Sequence, residues 1–313
     1  MKKKTIALIY GGRSPERKIS LHSGNQVFNA LDKSKYNIIK YDSKTDISQL
    51  VANASEINAA LIILHGHFGE DGTVQGLLDL LDIPYQGSGV LGSAVAMNKL
   101  ISKQLYAQSG IPVPPYIALT REDVLNPADC VTRLGLPLVI KPVSSGSSIG
   151  MSIVKTESSL KNAVKIAFEY DTTILIESYI EGTELTCAVI GNDTLKALPI
   201  VEIIPDKKYD FFDFKAKYTS GETEESCPAR ISDNLTKKAQ TFAKIAHKAL
   251  FLYGYSRTDM ILKNQNIYVL ETNTIPGMTS NSLLPVAAKA AGISFTRLLD
   301  MLIELSIKRH EKK

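Results

Sequence analysis

The chain has 313 residues, which suggests about two ordinary domains, and a chain of this length can build a core without disulfides or structural metals. The composition, 44% hydrophobic and 22% charged, excludes disorder for most of the chain. A net charge of +4, spread along the sequence, argues against a nucleic-acid binder. No apolar run approaches the roughly 18 residues of a membrane span, so no membrane partner is expected.

The first hundred residues alternate short apolar runs with helical patterns, which predicts strands at 6–10 and 59–64 and helices at about 14–31 and 74–81. Alternation of this kind is typical of βαβ units with a parallel sheet. The basic residues before the first run resemble a secretory leader only superficially, because the run is short and ends in two glycines. Ser14, followed by a proline, is predicted to start the first helix.

The sequence pattern changes in the middle of the chain, at about residues 93–178. A helix is predicted over about 93–109, and the proline-rich residues 111–115 break it, which places a domain boundary nearby. Residues 138–155 read as strand, Gly/Ser loop and strand. A helix at 158–169 and a strand at 173–178 follow.

The last third contains a polar, aromatic segment, 206–228, without clear periodicity, and a loop of that length usually has a function. The charged tail, 308–313, is expected to be solvated. The three cysteines are far apart and have no metal-ligand spacing, so they are predicted to be buried thiols in a reducing cytosol. The other predicted elements are strands at 185–190, 257–262 and 267–272 and helices at 234–252 and 296–307.

Two of these strands carry a strong chemical signal. The strand period of two places Arg257 with Asp259 on one face, and Glu271 with Asn273 on one face of the next strand. If the faces meet, the oxygen ligands suit Mg²⁺, and the guanidinium can serve a carboxylate or phosphate. The alternative is a surface salt bridge from Arg257 to either carboxylate. It is disfavoured because apolar neighbours mark both strands as core.

Lys141 and the small residues of loop 144–150 form a second candidate site. Backbone N–H groups of such a loop can approach a polyphosphate, and a lysine supplies charge. The loop lacks the P-loop string, so a flexible hairpin tip explains it about equally well. Residues 11–16 could hold an anion at a helix start, but they fail the dinucleotide-binding pattern, which lowers the case for an oxidoreductase.

The loop 65–76 directly follows an apolar strand, at the sheet edge where parallel sheets bind ligands. His65 and His67 could bind a metal together, but no third ligand is spaced with them, so a hydrogen-bonded loop histidine is favoured. Further along, Glu177 and Glu184 could accept an adenine amino group or ribose hydroxyls. Each would otherwise be an ordinary surface glutamate.

In this order and spacing the motifs resemble the D-alanine–D-alanine ligase family of the ATP-grasp superfamily, over nearly the whole chain. The motifs that carry the resemblance are GGRSPER, HGHFGEDGTVQG, MNKLISK, LVIKPVSSGSSIGMS, ILIESYIEGTELT, FFDFKAKY, RTDMIL and ETNTIPGMTSNSLLP.

The resemblance implies an α/β (α+β) ATP-grasp fold of three domains, in which a parallel sheet comes first and two antiparallel sheets sandwich ATP. The implied domains are an N-terminal substrate domain, 1–98, a central subdomain with the phosphate loop, 99–183, and a C-terminal subdomain with lid and Mg²⁺ site, 184–313.

The resemblance also implies the nucleotide site. Its phosphate-binding residues would be Lys99, Lys141, Ser147, Ser148 and Lys217, with the loop 144–150 closing over them. Its base and ribose contacts would be Glu177, Tyr179, Ile180, Glu184, Phe211 and Leu270. Two Mg²⁺ ions, with Mn²⁺ able to substitute, would be held by Asp259, Glu271 and Asn273.

For the amino acids, the resemblance implies that Glu16 holds the ammonium of the first D-alanine, in a substrate site that includes His65 and Glu70. Ser282 and Leu283 would hold the carboxylate of the second. The remaining implied roles are an oxyanion site formed by Arg257 and the Gly277 amide, and a hydrogen-bonded group of Tyr218, Ser147 and Glu16 that ties segment 206–228 down as a lid.

The implied function is ATP-dependent ligation of two D-alanines through an acylphosphate, for peptidoglycan precursor synthesis, in the cytoplasm and by a homodimer. The alternatives are a D-alanine–D-lactate ligase, another ATP-grasp carboxylate–amine ligase, a nucleotide sensor without turnover and, most weakly, an oxidoreductase. The sequence departs from the commonest family pattern at Phe212, Phe214 and Ser178, where the resemblance implies cofactor contacts, and at Phe68 in the His65 loop. Tyr218 favours an amine as second substrate.

Overall fold

The structure is a computed structural model that describes residues 3–144, 146, 149–205 and 223–312. Within these residues, no helix combines the length and apolarity that a membrane crossing requires. The chain forms one parallel and two antiparallel sheets, as expected for the fold class.

The first sheet has three parallel strands in the order β2-β1-β3. Its central strand is apolar on both faces, because helices and other segments cover both sides. The strand β2 and the short helix α2 are elements that the sequence patterns did not predict. The elements of this part are β1 (Lys4–Tyr10), α1 (Arg17–Ala30), β2 (Tyr36–Asp42), α2 (Ile47–Ala52), β3 (Ala59–Ile62), α3 (Thr73–Leu80) and α4 (Val90–Met97).

The second sheet is antiparallel, in the order β4-β7-β5-β6, and two helices pack on it around a compact apolar core. Strand β4 and helix α6 were not predicted, although Asn126 and Pro127 form an ordinary helix start at α6. The elements are α5 (Lys99–Gln108), β4 (Tyr116–Thr120), α6 (Pro127–Leu134), β5 (Leu138–Pro142), β6 (Ser152–Val154), α7 (Glu157–Ala167) and β7 (Thr173–Ser178).

The third sheet is antiparallel in the order β11-β10-β8-β12-β13, and β9 pairs with β8. The long helix α8 packs on one face, while α9 and α10 join the other face to the first sheet in a shared core. The elements are β8 (Thr183–Ile190), β9 (Lys196–Ala197), β10 (Val201–Pro205), β11 (Thr223–Ser226), α8 (Asp233–Ala249), β12 (Tyr255–Lys263), β13 (Asn266–Asn273), α9 (Leu283–Ala290) and α10 (Phe295–His310).

Three sequence predictions were wrong in detail. The first helix begins at Arg17, because Ser14 accepts hydrogen bonds from the backbone N–H groups of Glu16 and Arg17 and so forms a turn. The helix predicted over 93–109 is two helices, because Asn98 is extended and its side chain caps the second. The tail is not simply solvated. Helix α10 continues to His310, and Arg309 donates a 3.0 Å hydrogen bond to the Gly87 carbonyl.

Candidate active site

A cavity lies between the second and third sheets, and the described residues predicted to bind ATP all line it. Apolar side chains from both sheets, among them Val139, Ile153 and Met260, form its walls. Such walls suit a flat aromatic base, with a few polar groups to orient it. The predicted ATP-binding and metal residues that line the cavity are Lys99, Lys141, Glu177, Tyr179, Ile180, Glu184, Asp259, Leu270 and Glu271.

The polar part of this cavity is built on Glu177, at the end of β7. Its carboxylate is buried and lies 2.9 Å from Lys141 Nζ and 3.1 Å from Lys103 Nζ. Burial alone would raise the pKa of Glu177, but the charges of Lys103 and Lys141 outweigh it and lower the pKa. Burial lowers the pKa of Lys103 to about 8, although the Glu177 charge opposes the shift.

Lys99 stands at the first position of α5, directly after the capping residue Asn98. Its backbone N–H donates a 3.0 Å hydrogen bond to the Val143 carbonyl, and its ammonium lies 3.6 Å from Glu271. The start of this helix therefore brings a lysine between the loop after β5 and the Glu271 carboxylate of β13. A polyphosphate between these groups would meet both Lys99 and Lys141.

The predicted convergence of the two carboxyl-bearing strand faces is confirmed. The register of β12 and β13 pairs Arg257 with Asn273 and Asp259 with Glu271. Arg257 donates two hydrogen bonds, 2.9 and 2.7 Å long, to the Asp259 carboxylate. The pair is partly buried, with side-chain exposures of 14% and 18%, so it is not the surface salt bridge of the alternative interpretation.

These oxygen donors fit a magnesium ion. Thr186 Oγ1 donates a 2.6 Å hydrogen bond and Asn273 Nδ2 a 3.2 Å hydrogen bond to Asp259, which orient the carboxylate. Among the described residues, no three His, Cys, Asp or Glu side chains form a metal-binding group. The chain thus offers two carboxylates and an amide, and Mg²⁺ normally completes such a set with water and phosphate oxygens.

A second polar site surrounds Glu16 at the start of α1. Glu16 is only 6% exposed. A Cβ placed on Gly66 would lie 2.9 Å from Glu16 Oε2, and one on Gly146 would lie 3.8 Å away. The loop after β3 and the glycine/serine loop after β5 therefore both meet this carboxylate.

His65 and Glu70 belong to the same site. The His65 ring is hydrogen-bonded to the Ile275 backbone, and its buried Nε2 has no hydrogen-bond partner in the part of the chain described. Burial lowers the pKa of His65, while the Glu16 charge opposes the shift. Burial, reinforced by the charge of Glu16, raises the pKa of Glu70 to about 8. Glu70 accepts a 2.7 Å hydrogen bond from the Gly66 N–H.

The segment before α9 reaches the Glu16 site at Ile275, whose backbone is hydrogen-bonded to His65. Ser282 Oγ lies 2.8 Å from Thr279 Oγ1 and accepts a 3.1 Å hydrogen bond from the Thr279 N–H. A Cβ on Gly277 would lie 2.9 Å from Ser282 Oγ, so a glycine allows this close approach. Leu283 begins α9, where N–H groups without intrahelical partners can receive a carboxylate.

Comparison with known proteins agrees with this geometry. The family model described as D-ala D-ala ligase C-terminus matches residues 105–304, and that described as D-ala D-ala ligase N-terminus matches residues 40–88. A D-alanine–D-alanine ligase of Syntrophobacter fumaroxidans is 57% identical over 306 residues, covering 98% of both chains. The chain belongs to the D-alanine–D-alanine ligase family.

Solved structures of this ligase family share the whole fold. A Bacillus anthracis D-alanine–D-alanine ligase complexed with ATP has a TM-score of 0.87 at 39% identity and covers 99% of both chains. The VanG D-Ala:D-Ser ligase from Enterococcus faecalis has a TM-score of 0.83 at 34% identity, covering 97% of this chain and all of the other.

Several residues that the ligase resemblance implied lie outside the described residues. They are Ser147, Ser148, Phe211, Lys217 and Tyr218, together with the pattern departures Phe212 and Phe214. Their roles stay predictions.

Two further residues of this ligase, Lys103 and Thr186, contact predicted site residues but were not predicted from the sequence. Lys103 had a detectable signal. It follows Lys99 by four residues, a spacing that places both lysines on one face of a helix. Thr186 had none, because its contact to Asp259 depends on the pairing of β8 with β12.

Proposed function

We propose that this ligase joins two D-alanines into D-alanyl-D-alanine at the expense of ATP, through an acylphosphate, and so supplies a peptidoglycan precursor. One observation carries the proposal. Lys99, Lys141, Glu177, Asp259 and Glu271 come from separate elements and line the same cavity. This combination of cations, acceptor and metal-type carboxylates suits an adenine nucleotide with magnesium.

In this proposal the nucleotide lies between the antiparallel sheets. Glu177 would accept a hydrogen bond from the adenine amino group, and Glu184 would bind the ribose. Tyr179 and Ile180 would offer backbone groups to the edge of the base, and Leu270 would pack on it. Lys99 and Lys141 would hold the phosphates.

Asp259, Glu271 and Asn273 would hold Mg²⁺, with two ions and a tolerance for Mn²⁺ expected from the resemblance. When bound, the metal neutralises phosphate charge during phosphoryl transfer. The chain's own contribution is to orient these ligands, which the hydrogen bonds from Thr186 and Asn273 to Asp259 do.

The amino acids would lie in the site around Glu16. Glu16 would bind the ammonium of the first D-alanine, with His65 and Glu70 beside it, and Ser282 and the Leu283 N–H would bind the carboxylate of the second. The first carboxylate would take the γ-phosphoryl group of ATP and ADP would be released. The second D-alanine, with its ammonium deprotonated, would attack the carbonyl carbon through its amine nitrogen; a second proton would leave the nitrogen as the amide forms and phosphate departs. Arg257 and the Gly277 N–H would stabilise the oxyanion, a role in which one donor contributes about 3 kcal/mol.

The identity of the second substrate is tested by competition. Purified protein with ATP and D-alanine is offered D-lactate or D-serine at neutral pH, and products are separated by mass. We expect D-alanyl-D-alanine to dominate and phosphate release to depend on D-alanine. Preferential depsipeptide formation would instead favour the D-alanine–D-lactate alternative, and nucleotide binding without phosphate release would favour a sensor.

We also propose that the reaction takes place in the cytoplasm, where ATP is available, and that the ligase is a homodimer. Exposed apolar side chains on and near α3 and α4 support a protein contact there, namely Leu80, Leu91 and Phe251. The backbone of Phe251 lies against Gly92 of α4. Light scattering coupled to size exclusion should give twice the 34.2 kDa of the chain.

A further inference from the structure

Lys103 is a buried charged residue to which the proposed function assigns no role. It lies on α5 with 0% exposure, although lysine is seldom fully buried. Its ammonium lies 3.1 Å from Glu177 Oε1, while Lys141 lies 2.9 Å from Oε2. Each oxygen of one buried carboxylate therefore faces its own lysine.

The two lysines differ in what else they can reach. Glu177 and Lys141 line the cavity between the sheets, whereas Lys103 does not. Lys103 Nζ is buried and lies 5.8 Å from the centre of the ring of Tyr116, which is the strand partner of Glu177. The ion pair with Glu177 is the contact through which Lys103 reaches the cavity lining.

The charge balance explains why two lysines are needed. A buried carboxylate without a counter-ion is strongly destabilised. If Lys141 turns towards phosphate oxygens, Glu177 keeps a counter-ion only because Lys103 remains. The negative charge of Glu271 on β13 also favours the charged form of Lys103.

We propose that Lys103 is a positioning residue that keeps Glu177 ionised and oriented towards the base while Lys141 binds the phosphates. The site would thereby select adenine over guanine nucleotides. This inference rests on the proposed function. An ionised carboxylate can only accept hydrogen bonds, so it accepts from the 6-amino group of adenine and repels the 6-oxo group of guanine. A carboxyl group that has taken up a proton could donate to that oxygen and would lose the discrimination.

The test measures nucleotide binding at equilibrium by calorimetry. The ligands are the Mg²⁺ complexes of adenylyl and guanylyl imidodiphosphate, and the proteins are the full-length wild type, Lys103→Met and Lys103→Gln. We expect both variants to bind the adenine analogue about tenfold more weakly, because the hydrogen bond between ionised Glu177 and the adenine amino group is lost. Both variants should also discriminate less between the two bases. Saturating ATP should restore most of kcat, since the defect is in binding. Lys161→Met, an exposed lysine on α7, is the matched control.

A folded Lys103 variant with wild-type base discrimination would overturn the inference. A crystal structure of the wild type with the adenine analogue provides a test that does not depend on variant folding. Lys103 should stay on Glu177 while Lys141 contacts phosphate, and a Lys103 that contacts phosphate or leaves Glu177 would also overturn it. If the wild type binds neither nucleotide, the proposed function itself fails, which is a different outcome.

Discussion

Asp259 and Glu271 occupy directly paired positions on the antiparallel strands β12 and β13, so their carboxylates share one face of the third sheet beside the cavity. Each has a cationic neighbour, Arg257 at 2.7 Å and Lys99 at 3.6 Å. The pairing gives two like charges a common ligand site, and a divalent cation would relieve their repulsion.

Replacing Glu271 by Gln should therefore abolish turnover and leave the fold intact. We expect kcat to fall about a hundredfold or more at saturating Mg²⁺, because metal coordination contributes several kcal/mol to such transfers. The measurement is phosphate release with D-alanine, with circular dichroism to check folding. Glu169→Gln, at an exposed position, is the control. Near-normal kcat in Glu271→Gln would contradict the metal role.

The pKa of Glu70 predicts a pH-dependent stability. Burial and the Glu16 charge raise this pKa from 4.5 to about 8, so the native state retains a proton that the unfolded chain loses at lower pH. The free energy of unfolding should consequently fall as pH rises from about 4.5 to 8, by an amount on the order of a few kcal/mol, and level off above that range.

Glu70→Gln removes this titration. The variant should match the wild type in urea unfolding near pH 5 and exceed it near pH 9, since glutamine resembles the protonated carboxyl. Glu56→Gln, at an exposed position, should follow the wild type throughout. If Glu70→Gln raises the free energy of unfolding by the same amount at both pH values, the raised pKa of Glu70 is contradicted.

Gly66→Ala should disturb the proposed first substrate site. Gly66 has a φ of +70°, and an added Cβ would lie 2.9 Å from Glu16 Oε2. We expect a loss of about 1–2 kcal/mol of stability from the left-handed backbone and a raised KM for the first D-alanine.

Gly292→Ala separates the two effects. Gly292 has a φ of +77° with nothing near its Cβ position, so it should show the stability loss alone. If both variants leave the KM for D-alanine unchanged, the placement of the ammonium at Glu16 is wrong.

Arg309 should contribute measurably to stability at the end of α10. Its guanidinium lies 4.1 Å from the centre of the Tyr253 ring and donates to the Gly87 carbonyl. Arg309→Ala should lower the free energy of unfolding by about 1–2 kcal/mol, the sum of a cation–π contact and a hydrogen bond. Lys308→Ala, at the exposed neighbouring position, should change it little. Equal denaturant midpoints for the two variants would indicate a solvated tail after all.

Some features could be predicted from the sequence because they depend on local chemistry. The strand period placed Asp259 with Arg257 and Glu271 with Asn273, and the register of β12 and β13 confirms that these faces meet. The apolar runs predicted β1 and β3 because both are buried strands. Strand β2, with its mixture of polar and apolar residues at the sheet edge, has no such pattern and was missed.

The amino-acid sequence by itself determined the chemical inventory, the periodic elements and, through its motifs, the family. Only the tertiary structure decided which charges neutralise one another. Lys103 and Glu177 are separated by 74 positions in the sequence and lie 3.1 Å apart because α5 packs beside the second sheet. Glu16 and Gly66 likewise meet only through the parallel pairing of β1 with β3. Such contacts depend on packing between distant segments, and local periodicity carries no information about them.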